Sequence, residues 1–465
     1  MLSERIRAVA ALDPEAPFLE FEGGWRTWGD LGSTVEQVAA QVPEPGAPVG
    51  VLLRNRPAPV GLLLGVLGAG ACAIAINPDR PLDDEARTLR LVVGEPADLA
   101  RFDGAATRAA TADLGHPVTV TPADRATPGG PPCRPGVAVR MLTSGTTGPP
   151  KRIDLSYQTL ERVLVGAKHY ESDRAPALRL RSGVAVVNSP LVHLGGLFRV
   201  LQCVSDGRSF ALLERFTVEG WVDAVRRHRP ATASLVPTAL RMVLDAAPDP
   251  ADLASLRSVV SGTAPLSPDD ADAFTARYGV PVLTSYAATE FGGGVAGWNL
   301  PDYRQFWATK RGSVGRAHPG CELRVGDDGR LEVKAAQLGD GSDWIRTTDL
   351  ARIDEDGFVW ILGRADQTII RGGFKVQPDT VRAALERHPR VRGAAVVGRP
   401  DARLGAVPVA AVELAGAIPV SVDDLLAHAA GLLARYELPT EIRIVDALPR
   451  TPVGKVDLAA VGALF

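Results

Sequence analysis

From about residue 48 to about residue 362, short runs of β-branched and aliphatic residues alternate with longer stretches whose apolar positions recur every three or four residues. That alternation predicts layered α/β structure. Residues 49–53, 73–76, 137–142, 185–188, 233–236, 258–260 and 281–283 read as strands, and 216–228 and 238–245 as helices. The uncharged stretch 58–76 is about long enough to cross a bilayer. Its glycines, its alanines, Pro59 and its shift from leucine-rich to alternating alanine and isoleucine predict instead a buried helix running into a buried strand. Residues 121–135 are rich in Pro, Gly and Thr and predict a loop leading into the 137–142 strand. A second pattern begins after Gly363: a helix over 378–388 with Val381, Ala384 and Leu385 on one face, and strands at 394–397, 409–414 and 441–445. Ser421 with Asp424 resembles a capping box opening a helix that runs to about residue 434. A small α+β domain therefore follows a large α/β one.

The length of 465 residues fits this division, because one hydrophobic core does not serve so long a chain. Hydrophobic residues make up 46% and charged residues 23%, as in ordinary globular proteins. The 51 basic and 54 acidic residues are spread evenly and leave a net charge of -3, which removes any electrostatic case for a nucleic acid or a membrane surface as partner. Cys72, Cys133, Cys203 and Cys321 are far apart and form no Cys-x-x-Cys pair, against both a zinc site and a disulfide framework. A reducing cytoplasm is the expected location, and the mixed, charged start Met-Leu-Ser-Glu-Arg-Ile-Arg-Ala-Val predicts no signal peptide.

The candidate chemistry sits at the ends of predicted strands. After the strand at 137–142 comes Thr143-Ser-Gly-Thr-Thr-Gly-Pro-Pro-Lys151, where Gly145 and Gly148 let backbone N–H groups turn to one point. Thr143, Ser144, Thr146 and Thr147 add hydroxyls and Lys151 a positive charge, which makes a phosphate cradle. It lacks the spacing of the Walker loop. Ser261-Gly-Thr-Ala-Pro265 would let a flat ring approach the backbone, and Ser285-Tyr-Ala-Ala-Thr-Glu290 offers an aromatic face, a hydroxyl and a carboxylate able to hold Mg²⁺. Asp349, in Trp344-Ile-Arg-Thr-Thr-Asp-Leu350, can accept two ribose hydroxyls, and Arg364 can donate to ribose or phosphate. Leu448-Pro-Arg-Thr-Pro-Val-Gly-Lys455 presents one lysine on a stiffened loop. Singly, each segment also reads as a turn, a buried tyrosine or a surface ion pair.

In this order the six segments resemble the adenylate-forming superfamily of acyl-CoA synthetases, carrier-loading adenylation domains and beetle luciferases, from about Pro17 to Lys455. The resemblance implies a large N-terminal multi-sheet domain over 1–363, a hinge at 364–366 and a small mobile α+β domain over 367–465. It implies that a carboxylate attacks the α-phosphorus of Mg-ATP and that a thiol then captures the acyl-adenylate. Carried over, Thr143 to Lys151 would hold the β- and γ-phosphates. Gly262, Thr263, Ala264, Pro265 and Tyr286 would enclose adenine, Thr289 would touch phosphate, Glu290 would hold Mg²⁺, and Asp349 and Arg364 would bind ribose. Lys455 would bridge the carboxylate and α-phosphate. Asp366 falls at the hinge, and Gly372 and Gly373 would line the thiol tunnel. His193 would stand at the junction of acyl pocket and tunnel, with Gly262, Gly292, Gly293 and Gly294 completing a pocket roomy enough for an aryl or medium hydrophobic acid. The acceptor implied is CoA, or the pantetheine of a carrier protein or another nucleophile. Retention of Glu290, Asp349, Arg364 and Lys455 argues against an idle nucleotide-binding relative. Ala287 and Thr348 stand where the family usually has glycine, and the stretch between Val333 and Trp344 is shorter than the family's; both predict altered ATP affinity or slow turnover.

Overall fold

The computed structural model describes residues 2–102, 106–124, 133–143, 151–166, 178–335, 337–338, 343–416, 420–451 and 455–465. Five sheets organise them. The largest has seven strands, in the order Thr119–Thr121, Thr107–Ala110, Leu91–Gly94, Pro48–Leu52, Cys72–Ile76, Val137–Thr143 and Lys151–Ser156. Its centre is parallel, because helices such as Pro57–Gly68 cross over between strands. Every residue of that helix is buried, and Cys72–Ile76 pairs with Pro48–Leu52, so the 58–76 stretch is a core helix followed by a core strand. Among the described residues, no helix is long and apolar enough to cross a membrane.

A five-stranded sheet runs Thr232–Ser234, Ser258–Ser261, Val282–Ala288, Gly293–Gly297, Arg316–Ala317. Its first three strands are parallel, and their carboxyl ends point the same way. A four-stranded antiparallel sheet, Cys321–Val325, Arg330–Ala335, Ile345–Ile353 and Val359–Arg364, adjoins it through a seam built on fully buried Trp298. The Trp298 ring lies 4.9 Å from Phe358 and 5.5 Å from Trp307, and its indole N–H donates to Ser313 O at 2.9 Å. Gly315 makes the seam possible: at φ +89°, a Cβ there would sit 2.1 Å from the Gly297 carbonyl carbon.

The remaining sheet of the large body joins Arg181–Val187, Arg208–Leu212, Pro17–Phe21 and Gly24–Thr27. The last sheet belongs to the C-terminal region: Phe374–Val376, Ile369–Arg371, Gly405–Leu414 and Val391–Asp401, with Glu441–Val445 parallel to Gly405–Leu414. It has its own apolar core around Val381, Leu385, Val396, Val412 and Leu425.

Several boundaries differ from the sequence expectation. Residue 236 is the N-cap of the helix Pro237–Ala246 rather than strand, because Pro237 sets the first helical φ. The capping box at Ser421 and Asp424 forms, but its helix, Val422–Ala430, ends at Gly431, well short of residue 434. The strand at 281–283 extends through Ala288, carrying Tyr286 into the sheet. Helix Leu194–Ser205 and the long strand Ile345–Ile353 have no counterpart among the predicted elements. The paired glycines 195 and 196 hide the first, and the second is half-buried on both faces, so it lacks a clean alternation.

Candidate active site

A cleft of about 2980 Å³ opens where the carboxyl ends of the five-stranded sheet face the small C-terminal body. Ligands bind there in open α/β sheets, because chain reversals leave a crevice and free backbone groups. Its walls come from all five sheets and from the Lys455 loop.

Strand Ser258–Ser261 ends at Gly262, where a Cβ would lie 2.7 Å from Ser285 Oγ, so the glycine permits two strand ends to touch. Thr263 follows at φ +71°, a left-handed conformation that costs a β-branched residue energy. Together with Ala264 and Pro265 it forms one rim of the cleft. On the next strand, the Tyr286 hydroxyl donates to the Asp349 carboxylate. Burial first, and then Asp349, push the Tyr286 pKa far up, so the phenol keeps its proton. The Asp349 N–H donates to Thr347 Oγ1 at 3.0 Å, which fixes the backbone under the carboxylate.

Asp349 sits directly opposite Arg364 in the pairing of Ile345–Ile353 with Val359–Arg364. Arg364 in turn forks onto Asp366, with Nε–Oδ1 at 2.9 Å and Nη2–Oδ2 at 2.8 Å. Asp366 is the main reason the guanidinium pKa is raised, with Asp349 and Glu290 adding to it. Thr289 and Glu290 open a single 3₁₀ turn, Thr289–Phe291, where the strand breaks off at the cleft. Glu290 makes neither a hydrogen bond nor an ion pair with another described residue, which leaves its oxygens available to a cation.

Lys455 reaches this group from the far end of the chain. Its loop closes on itself: Thr451 N–H donates to Lys455 O at 2.7 Å, and Arg450 pairs antiparallel with Val456. Burial lowers the ammonium pKa, Arg364 lowers it further, and Glu290 opposes both. His193 is the N-cap of Leu194–Ser205 and lines the same cleft. Its pKa is pushed down to about 4, first by burial and then by Lys455 and Arg80, so the ring is neutral at pH 7.

Of the phosphate cradle, residues 144–150, including Ser144, Gly145, Thr146, Thr147 and Gly148, lie outside the described residues. The two ends of the loop are placed by backbone pairing: Thr143 is the register partner of Lys151.

The sequence pattern of the AMP-binding enzyme family matches residues 6–352, and that of the AMP-binding enzyme C-terminal domain matches residues 381–455. The chain belongs to the AMP-binding enzyme family. It is similar to an indoleacetate–CoA ligase of Aromatoleum aromaticum, 31% identical over 98% of this chain and 96% of the relative. A sulfoacetate–CoA ligase of Cupriavidus necator is 32% identical over the same shares of the two chains. Among solved structures, an o-succinylbenzoate coenzyme A synthetase of Bacillus subtilis in complex with ATP and magnesium ion superposes with a TM-score of 0.80 at 24% identity, over 97% of this chain and 98% of that one, and so shares the fold.

In this AMP-binding enzyme the three glycines after Phe291 do not all open space. Gly292 is absent from the cleft wall, and a Cβ on it would meet Thr159 Cγ2 at 2.6 Å. A Cβ on Gly293 would meet Val163 Cγ1 at 2.6 Å, so both glycines make room for the helix Tyr157–Gly166. Gly294 faces the His318 ring at the cleft wall. Gly293 and Gly294 thus line the cleft, and Gly292 does not. Gly372 and Gly373 lie outside the cleft, in the turn between Ile369–Arg371 and Phe374–Val376 at φ +57° and +90°. Ala287 and Thr348 both line the cleft, so their added methyls bear on it. Sequence reasoning missed Phe198, Arg199, Gln202 and His318 as cleft residues; the first three lie on the unpredicted helix.

The lowered Lys455 pKa has a measurable consequence. A lysine is charged below its pKa, so a lowered value brings loss of charge to lower pH. The kcat/KM for acyl-adenylate formation, which reports the free enzyme, is expected to fall along an alkaline limb centred below the 10.5 of an ordinary lysine. A limb at or above that value would contradict the assignment.

Proposed function

We propose that this protein activates an aryl or medium hydrophobic carboxylic acid with ATP and passes the acyl group to the thiol of CoA. In the first half-reaction a carboxylate oxygen attacks the α-phosphorus and the bond to the β-phosphate bridge breaks, releasing pyrophosphate. In the second the thiol sulfur attacks the acyl carbon, and the carbon–oxygen bond to AMP breaks. The observation that carries this reading is the meeting of Lys455, from near the C-terminus, with Glu290, Arg364 and His193 at the cleft.

Charge accumulates at the α-phosphate in the first step, so fixed positive groups lower its barrier. Lys455 supplies one at the reacting centre, and the Thr143 to Lys151 loop would hold the departing phosphates. Tyr286 and the rim from Gly262 to Pro265 would enclose adenine, while Asp349 and Arg364 would take the ribose and Thr289 a phosphate oxygen. The Glu290 carboxylate, unpaired among the described residues, fits Mg²⁺, which favours one or two carboxylates together with phosphate oxygens. Bound there, the ion would offset phosphate charge. Neutral His193 would form a wall between acyl group and thiol rather than a base.

The observed arrangement suits the first step alone, since Lys455 is in the cleft and Gly372 and Gly373 are out of it. Rotation at Asp366 would exchange them. The polar contacts that join the two bodies near Pro237–Ala246 are exposed and easily broken: Arg392 to Asp245 at 3.1 Å and Arg450 to Thr238 at 3.4 Å. The 1–363 and 367–465 bodies would thus move about residues 364–366.

An ATP–pyrophosphate exchange screen across a panel of carboxylates, repeated with CoA and with a pantetheine-bearing carrier protein, tests the reading. Acid-dependent exchange and CoA-dependent AMP release are expected. Nucleotide binding without exchange for any acid would defeat it, and AMP release with the carrier alone would move the acceptor from CoA to the carrier.

A further inference from the structure

Helix Leu194–Ser205 starts at His193 and shows the cleft one polar face. Gly195, Phe198, Arg199 and Gln202 line the cleft and fall within an arc of about 100° on a helix of 3.6 residues per turn. The opposite face, with Leu197, Val200, Leu201 and Val204, is buried in the core of the large body. The cleft side of the first turn is open, since a Cβ on Gly195 would have no neighbour within 4 Å. One turn on, Arg199 is partly buried, and its Nη1 donates to Gln202 Oε1 at 2.7 Å. Gln202 is itself only 7% exposed, so it anchors the guanidinium from behind.

Arg199 forms no ion pair with any described residue, whereas Arg241 and Arg364, which line the same cleft, pair with Asp270 and Asp366. A partly buried guanidinium that Gln202 orients and no described carboxylate neutralises is open to charge-assisted hydrogen bonds from an anionic ligand. Arg199 lies about 9 Å along the helix axis from His193, with the Phe198 ring beside it as an apolar wall. Resting on the ligase reading, we propose that the acid this protein activates has an apolar body and a second anionic group, a carboxylate or sulfonate, at the end remote from the reacting carboxylate, and that Arg199 binds that group.

The test compares matched acids that differ only in a distal anion: phenylacetate with 4-carboxyphenylacetate and 4-sulfophenylacetate, 4-phenylbutanoate with 4-(2-carboxyphenyl)butanoate, and hexanoate with adipate. Pyrophosphate exchange gives kcat/KM for each with the unaltered protein, Arg199→Leu and Arg199→Lys. The expected result is a preference of about 10- to 100-fold for the dianionic member of at least one pair, the usual worth of a charged hydrogen bond. That ratio should collapse in Arg199→Leu and be partly kept in Arg199→Lys, whose point charge lacks the fork. Exchange with the monoacids and no dianion preference, or a preference that survives both substitutions, overturns the assignment of Arg199 and leaves the ligase reading standing. Exchange with none of the acids, under conditions where ATP binds, takes the ligase reading down and this inference with it.

Discussion

Replacing Lys455 by alanine lowers acyl-adenylate formation by about 10² to 10³-fold, the usual loss when one preorganised charge is removed from a transition state, and leaves thioester formation from pre-made acyl-adenylate close to that of the unaltered protein. The asymmetry follows from where the lysine sits. Its ammonium is withdrawn from water beside Glu290 and Arg364, where the α-phosphate would gain charge. In the second half-reaction the small body would have turned about Asp366 and carried the lysine away. Single-turnover assays of the two steps check this, and equal damage to both would refute the proposed division of labour. The loop is closed by the Thr451–Lys455 backbone bond and the Arg450–Val456 pairing, neither of which needs the side chain. Loss of folding is therefore not the expected route of failure.

Asp349→Ala raises the KM for ATP by about 100-fold or more. On the proposed ribose role, Asp349 would accept two charge-assisted hydrogen bonds from ribose hydroxyls, each worth about 1.5–3 kcal/mol, and the substitution would remove both. It also strips the Tyr286 hydroxyl of its acceptor. Thr347 stays beside the phenol, so the loss of that one hydrogen bond should cost about 1 kcal/mol and lower thermal stability only modestly. Tyr286→Phe separates the contributions: it keeps the carboxylate for ribose and should change ATP affinity much less. A KM for ATP unchanged in Asp349→Ala would remove this residue from the nucleotide site. If Asp349→Ala and Tyr286→Phe raised that KM equally, ribose binding would not be the main role of the carboxylate.

The sequence made the local elements legible where one period ruled. The Pro57–Gly68 helix and the Cys72–Ile76 strand were readable because continuous apolar character joined to a length limit admits few alternatives. Strand Ile345–Ile353 was not, since its partial exposure on both faces leaves no alternation to detect. Helix Leu194–Ser205 was hidden by two glycines, which lower helix propensity by about 1 kcal/mol each, while burial of its apolar face overrides that cost. The glycines after Phe291 show the opposite limit. Their lack of side chains was plain, but whether the space faced a ligand or the helix Tyr157–Gly166 depended on packing between distant segments.

By itself, then, the order of residues determined which chemistry this chain can offer: a glycine- and hydroxyl-rich loop of the kind that cradles phosphate, a glutamate at a strand end, an aspartate and an arginine of the types that can bind ribose, and a lysine near the C-terminus. Those are properties of residue type and spacing along a covalent chain. Only the tertiary structure decided that Lys455 meets Glu290 across 164 intervening residues, that Tyr286 holds Asp349, and that Arg199 faces the cleft with no carboxylate among the described residues to neutralise it. Contacts of that kind arise where separate sheets and helices bury their apolar faces together, and periodicity within any one segment carries no record of its neighbours.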